Sequence, residues 1–183
     1  YTTLIPETFK VDDPRCIERM ASVGSRGLPR YGGQYWRYIP CPSSPEFLGY
    51  IDKLIGIGLE DIGLDLLHID GLNGFPEPYA CHCPRCLAGF RAWLVRRYPT
   101  VTLQRQRFGF APLDHVEIPD VTVYDPIALP LPIVTDPVAQ EWMFFRCHLL
   151  AEVWKFIVRA ARRRRPDCYI QGNAAFYPQI NPF

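Results

Sequence analysis

Cys41, Cys81, Cys83 and Cys86 are the residues of this chain whose type and spacing most plainly suit chemistry. Three stand in Cys81-His82-Cys83-Pro84-Arg85-Cys86, a C-x-C-x-x-C turn, and the fourth lies upstream in Pro40-Cys41-Pro42. Zinc takes thiolate ligands at about 2.3 Å, and so short a turn can bring three sulfurs onto one cation. A fourth ligand closes the tetrahedron. Cys41, His82, Cys16 and a water are the candidates. With four protein sulfurs no coordination position stays open, so such a zinc is structural.

Two other chemistries compete for these residues. Cys83-Pro84-Arg85-Cys86 ahead of a helix has the form of a redox C-x-x-C, where the helix dipole lowers a thiol pKa. The extra Cys81 argues against a thiol oxidoreductase. A deaminase-type zinc site built on His68-x-Asp70 would need glutamate at position 70 and a longer spacing to the cysteines.

Acids and amides follow the apolar runs. Leu66-Leu67-His68-Ile69-Asp70 reads as a buried strand closed by a carboxylate. An unpaired charge there is costly, so Asp70 is either catalytic or an organiser of loops. Glu7 follows an opening strand. Asn173 follows the last one, where it would contact a sugar hydroxyl or stitch backbone. Trp36, with Tyr31, Tyr35 and Tyr38, either stacks on the apolar face of a sugar ring or packs the loop. His68 reads as a core histidine.

The elements that must position these groups come from periodicity. Residues 2–5 read as a strand, followed by a glycine-rich loop to about residue 42. Ser43 or Ser44 caps a helix with Pro45 at its first position and Phe47, Ile51, Leu54, Ile55, Gly58 and Ile62 on one face. Gly63 ends it and residues 64–70 form the next strand. Pro84 opens a second helix carrying Phe90, Trp93, Leu94 and Tyr98. Residues 100–135 read as a long proline-rich insertion. Asp136-Pro137 starts a long helix with Phe145, Leu149, Val153, Phe156, Ile157 and Ala160 inward. Its end, Arg162-Arg163-Arg164-Arg165, reads as a solvated C-terminus favoured by the macrodipole. Residues 168–173 are the last strand.

This order predicts three parallel strands with helical crossovers, an α/β fold. Three are too few for a doubly wound sheet, and they match about three-eighths of a (β/α)8 TIM barrel. Glu7, Asp70 and Asn173 would then share the C-terminal edge of that sheet. Residues 1–183 are accordingly expected to be a fragment of one barrel domain in a longer protein.

Composition narrows the partners. The chain is 48% hydrophobic and carries a formal charge of +1, which gives no global field for nucleic acid. No run of about 18 apolar residues could span a membrane. Nineteen prolines and 14% aromatics imply rigid, aromatic loops, because so apolar a chain would not stay unfolded. Seven cysteines, an odd number grouped as a metal cluster, suit a reducing compartment, so a cytoplasmic location is expected.

These residues together resemble the catalytic barrel of the family-42 glycoside hydrolases, the β-galactosidases, and their relatives. The resemblance rests on Gly24-Ser25-Arg26-Gly27 with Tyr31-Gly32-Gly33 before Cys41-Pro42-Ser43-Ser44-Pro45. It continues through the C-x-C-x-x-C turn followed by Phe90, Trp93 and Leu94, then Glu117-Ile118-Pro119, Asp136-Pro137 with Trp142, Phe145 and Arg146, and Asn173. It implies one structural zinc on Cys41, Cys81, Cys83 and Cys86, a carbohydrate substrate, and any homo-oligomer formed through parts of the chain not present here. It also implies an Asp-Asn-Glu sequence before the zinc loop, with the glutamate as general acid/base. Here that stretch is Asp70-Gly71-Leu72, so the aspartate is kept and Leu72 replaces the glutamate. The nucleophile glutamate is implied on a later strand, beyond Phe183. Asp70 is then the best local candidate for a catalytic carboxylate.

Overall fold

The computed structural model describes residues 5–11, 13–24, 27, 36–72, 80–119 and 136–173. β1 (Ile5–Pro6) pairs antiparallel with β2 (Arg37–Tyr38), and Glu7 N–H adds a bond to Trp36 O at 2.8 Å. β3 (Leu66–Ile69) pairs parallel with β4 (Tyr169–Gly172), in the register Leu66 with Tyr169 and Ile69 with Gly172. The fold is therefore mixed α/β with one parallel pair among the described residues.

Four expectations change here. β1 lies against a strand inside the supposed glycine-rich loop, Arg37–Tyr38, and residues 2–4 of the expected opening strand fall outside the described residues. Three mutually parallel strands are not what the described residues show. The strand β3 also alternates instead of being buried throughout. Leu67 and Ile69 enter the core, while Leu66 is exposed and His68 only half-buried, so His68 is not a core histidine.

The helices follow their capping residues closely. Ser44 Oγ accepts from Phe47 N at 3.2 Å and opens α2 (Pro45–Gly56), preceded in the chain by the short α1 (Cys16–Met20). Phe47, Ile51 and Ile55 are buried on one stripe. Past Gly56 the helix widens into a π-turn, Ile57–Asp61, where Ile62 N reaches Ile57 O at 3.0 Å. That extra winding turns Ile62 outward to 61% exposure, against the expected inward place. Gly63, at φ +76°, ends the element in the left-handed region that glycine tolerates.

α3 (Pro84–Arg97) begins at Pro84 as its sequence dictates. The insertion then holds a helix that periodicity did not show, α4 (Val101–Phe108). Thr100 caps it through a bond from Leu103 N at 3.3 Å, and Gly109 at φ +79° ends it. Only Gln104 and Phe108 of α4 are buried, so its apolar stripe is too sparse to read.

α5 (Pro137–Arg164) runs 28 residues from Asp136, whose Oδ1 accepts from Val138 N and Ala139 N. One side, with Val153, Ile157 and Ala160, lies in the main core, where α5 packs on α2 and the π-turn that follows it. Its first turns, with Trp142 and Phe145, belong to a second core containing Phe90, Leu94 and the four cysteines. Its basic end is less solvated than expected. Arg164 is 19% exposed and forks onto Asp52 of α2 through two bonds of 2.8 Å, with Glu60 at 3.3 Å. Arg165 reaches Asp65 and the Leu64 carbonyl. No described helix is long and apolar enough to cross a membrane.

Candidate metal centre

The segment from Arg19 to Val23 stitches both halves of the cysteine cluster together. Cys41 N donates to Met20 O at 2.8 Å, Ser22 N to Ile39 O at 2.8 Å, and Ser22 Oγ to Pro40 O at 2.8 Å. On its other side His82 N donates to Val23 O at 2.7 Å, and Val23 N to Cys81 Sγ at 3.3 Å. Cys83 occupies the N-cap of α3 and Cys86 its first turn, so the helix start aims both sulfurs inward. Trp142 then closes the cluster from α5, edge-on to His82 and Phe90 at 5.9 and 5.2 Å.

The four sulfurs converge. Cys41 Sγ lies 3.8 Å from Cys83 Sγ and 3.7 Å from Cys86 Sγ, and all four lie within 4.8 Å of one another. A tetrahedron with metal–sulfur bonds of about 2.3 Å has edges of about 3.8 Å, which matches the two Cys41 edges. Cys41 is thus the fourth member, and His82 and Cys16 are not. All four are buried and carry free thiols; Cys16 and Cys168, also buried, and the exposed Cys147 lie outside the group. The donors are soft, anionic when deprotonated, and arranged as a closed shell. They fit a metal ion such as zinc.

Their protonation points the same way. The bond shared with Cys41 lowers Cys81 to about 7 and holds Cys83 far below its ordinary value. Cys41 is pushed up, chiefly by its bond with Cys81, and Cys86 by its bond with Cys41. Thiolate and thiol therefore sit side by side in a dry cluster. A dication would displace the remaining protons. Burial also removes the exposed thiol that disulfide exchange at Cys83 and Cys86 would need.

Asp70 and Asn173 meet at the ends of β3 and β4, where Asn173 Nδ2 donates to Asp70 Oδ1 at 3.0 Å and both residues are exposed. Asn173 N also donates to Ile69 O at 3.1 Å, which fixes the two strand ends in step. Glu7 opens a 3-10 turn, Glu7–Val11, rather than simply capping a strand, and accepts from Lys10 Nζ at 2.7 Å. Lys10 bridges onward to Tyr38 Oη at 3.0 Å. Trp36 is 41% exposed, but the Arg37 guanidinium lies 3.8 Å over its ring and occupies one face. Leu72, where the resemblance places a glutamate, is buried in the main core. Tyr31 and Tyr35 fall outside the described residues.

Two charged residues escaped the sequence reading. Arg37 Nε is buried beside Trp36 without a hydrogen-bond partner among the described residues. Its only signal was an arginine set between two aromatics. Glu141 is a buried acid that accepts from Tyr98 Oη at 2.7 Å and Trp93 Nε1 at 3.3 Å, with Arg97 at 3.2 Å and Arg107 at 3.7 Å. It ties α3, α4 and α5 together behind the cluster. Helical periodicity could not mark it, because a polar residue on an inward stripe reads as a solvent position.

No family model matches the chain. Curated relatives do. A Thermus thermophilus beta-galactosidase is 31% identical over 108 residues, and beta-galactosidase BgaA from a Thermus species is 30% identical over 112. Each alignment covers 53% of this chain, and the chain spans only 16% of either relative. Among solved structures, a beta-galactosidase from the haloarchaeon Halorubrum lacusprofundi superposes with TM-score 0.70 at 18% identity, over 98% of this chain and 27% of that one. Gan42B, a GH42 beta-galactosidase, gives 0.66 at 18% identity, over 96% of this chain and 26% of that one. The sequence similarity to beta-galactosidases covers about half of the chain, and the fold over nearly all of it matches part of such an enzyme.

Proposed function

We propose that residues 1–183 are part of a single (β/α)8 barrel domain of a glycoside hydrolase-like protein that cleaves O-glycosidic bonds in the manner of a β-galactosidase. The observation that carries this reading is the buried four-sulfur tetrahedron in a chain homologous to such enzymes. Zinc on Cys41, Cys81, Cys83 and Cys86 would be structural. It would cross-link the segment before α2 to the start of α3 and supply no chemistry to substrate. Its second segment begins at Cys81, eleven residues in sequence after Asp70 at the end of β3.

Asp70 is the candidate catalytic carboxylate, with Asn173 holding its orientation and offering an amide to a sugar hydroxyl. Glu7 and Trp36 are the candidate sugar contacts. A glycosidase needs a second carboxylate, which this reading assigns to another part of a longer chain. Free thiols throughout suit a reducing compartment such as the cytoplasm.

A second reading has its own observation. Leu72 is packed in the core, so the usual acid/base is absent there. The barrel would then bind carbohydrate without cleaving it. One experiment separates the two: turnover of an aryl β-galactoside and binding of galactose, both measured on the full protein loaded with zinc. Turnover that vanishes in Asp70→Asn supports the hydrolase. Binding without turnover supports the second reading, and neither activity defeats both.

A further inference from the structure

We propose that Arg97 and Arg107 form a binding site for a small oxyanion, a carboxylate or sulfate group, where α3 and α4 meet α5. None of the four clustered cysteines and none of the candidate sugar contacts takes part in it.

A surplus of positive charge surrounds Glu141. Its side chain is only 2% exposed, and a carboxylate buried this far is costly unless it is paired and hydrogen-bonded. It is both. Oε1 accepts from Tyr98 Oη at 2.7 Å, and Oε2 accepts from Trp93 Nε1 at 3.3 Å with Arg97 Nε at 3.2 Å. One cation balances one carboxylate. A second guanidinium nevertheless stands beside it. Arg107 Nη2 lies 3.7 Å from Oε1, too far for a hydrogen bond, and donates instead to Gln140 Oε1 at 2.6 Å. A neutral amide thus holds this arginine in place without neutralising it.

The surplus faces water. The Arg97 and Arg107 side chains are 49% and 33% exposed, while the acid beside them is not. Arg97 turns Nε, the inner nitrogen of its fork, toward Glu141. Its guanidinium lies 5.6 Å from the Trp93 ring and 5.8 Å from the Phe144 ring, which steady it further. Both arginines are therefore placed before a ligand arrives, and that lowers the cost of ordering them on binding. A guanidinium fork matches the paired oxygens of a carboxylate or sulfate. Two such forks at one carboxylate are close enough to share a second anion of similar size. No acid on their own helices competes, since α3 carries four arginines and α4 two, and neither holds an acidic residue. Phe144, 55% exposed beside Arg97, offers an apolar face to a ring that carries the anion.

The test is calorimetric titration of the full, zinc-loaded protein with sodium sulfate and with galacturonate. Ionic strength is held constant so that general screening does not vary. Excess galactose is present in a parallel series to fill any galactose cleft. The wild type is compared with Arg107→Gln, Arg107→Lys and Arg105→Gln, the last an exposed arginine of the same helix. Both anions should bind saturably, with or without galactose. Arg107→Gln should weaken them by about tenfold or more, the reach of a charge-assisted bond. Arg107→Lys should keep part of the affinity, and Arg105→Gln should change little. Without anion, Arg107→Gln should melt close to the wild type, because Glu141 keeps Tyr98, Trp93 and Arg97. Tighter binding of galacturonate than of sulfate assigns a ring-borne anion and parity assigns the free ion; either supports the site. Absence of saturable binding overturns the proposal, as does binding that galactose abolishes. Equal losses in Arg105→Gln and Arg107→Gln would show a diffuse field and overturn it too. So would a melting temperature of Arg107→Gln lowered equally with and without anion, which makes the arginine purely structural.

Discussion

Asn173 Nδ2 donates to Asp70 Oδ1 across the ends of two parallel strands, at 3.0 Å and 103 residues apart in sequence. This bond orients an exposed carboxylate at the edge of the parallel pair. Asp70→Asn in the full protein should therefore lower turnover of an aryl glycoside by about 10²-fold or more, the usual reach of a general acid or base. The melting temperature should move little, because the pair is exposed. A fully active variant would remove Asp70 from the chemistry.

Metal removal should act on the fold before it acts on anything else. Cys41→Ser takes away the ligand that joins two segments otherwise linked by a few backbone bonds. The expected outcome is loss of stoichiometric zinc, read by elemental analysis, and a stability loss of several kcal/mol. Chelation of the wild type should give the same melting temperature as the variant. Acid should release zinc too, since protons compete for the four sulfurs, and affinity should rise with pH until every ligand is a thiolate.

The fork from Arg164 to Asp52 clamps the end of α5 to α2. Its hydrogen bonds hold the Asp52 carboxyl below its ordinary value, against the opposing effect of desolvation. A depressed folded pKa means that this contribution is complete above the unfolded value of about 3.9 and fades as pH falls through the folded one. Arg164→Ala should cost about 1 kcal/mol at neutral pH, because the pair is only partly shielded from water. In urea unfolding the gap between variant and wild type should narrow below about pH 4. A gap that stays constant into acid would show that lost packing, not charge, is the cause.

Gly172 leaves no room for a side chain. A Cβ built on it would lie 2.0 Å from Cη2 of Trp154 and 3.2 Å from Ile69 O. Gly172→Ala should therefore destabilise the protein by about 1–3 kcal/mol through overpacking at β4. Pairing it with Trp154→Leu should recover part of that loss, measured as a double-mutant cycle in chemical denaturation. Full additivity of the two changes would contradict the contact.

The cysteine spacing, a serine cap at position 43 or 44, the cap at Asp136 and the helix start at Pro84 were all legible in the residues. Each depends on chemistry between neighbours in the chain: a turn that bunches thiols, an oxygen facing free N–H groups, a ring that fixes φ. Residue order could not choose Cys41 over His82 or Cys16 as fourth ligand. That choice belongs to the stitch from Met20 to Val23, which sets Cys41 3.8 Å from Cys83. Nor could it show β2 pairing with β1, α4 inside the insertion, Glu141 buried among partners, or Arg164 folded back on Asp52. In each case the deciding partner is supplied by another element, and its energy exists only once the chain has packed. The aspartate at position 70 could be read at once as a candidate acid. Its pairing with Asn173 and the burial of Leu72 were decided by the register of β3 against β4 and by the core beneath them.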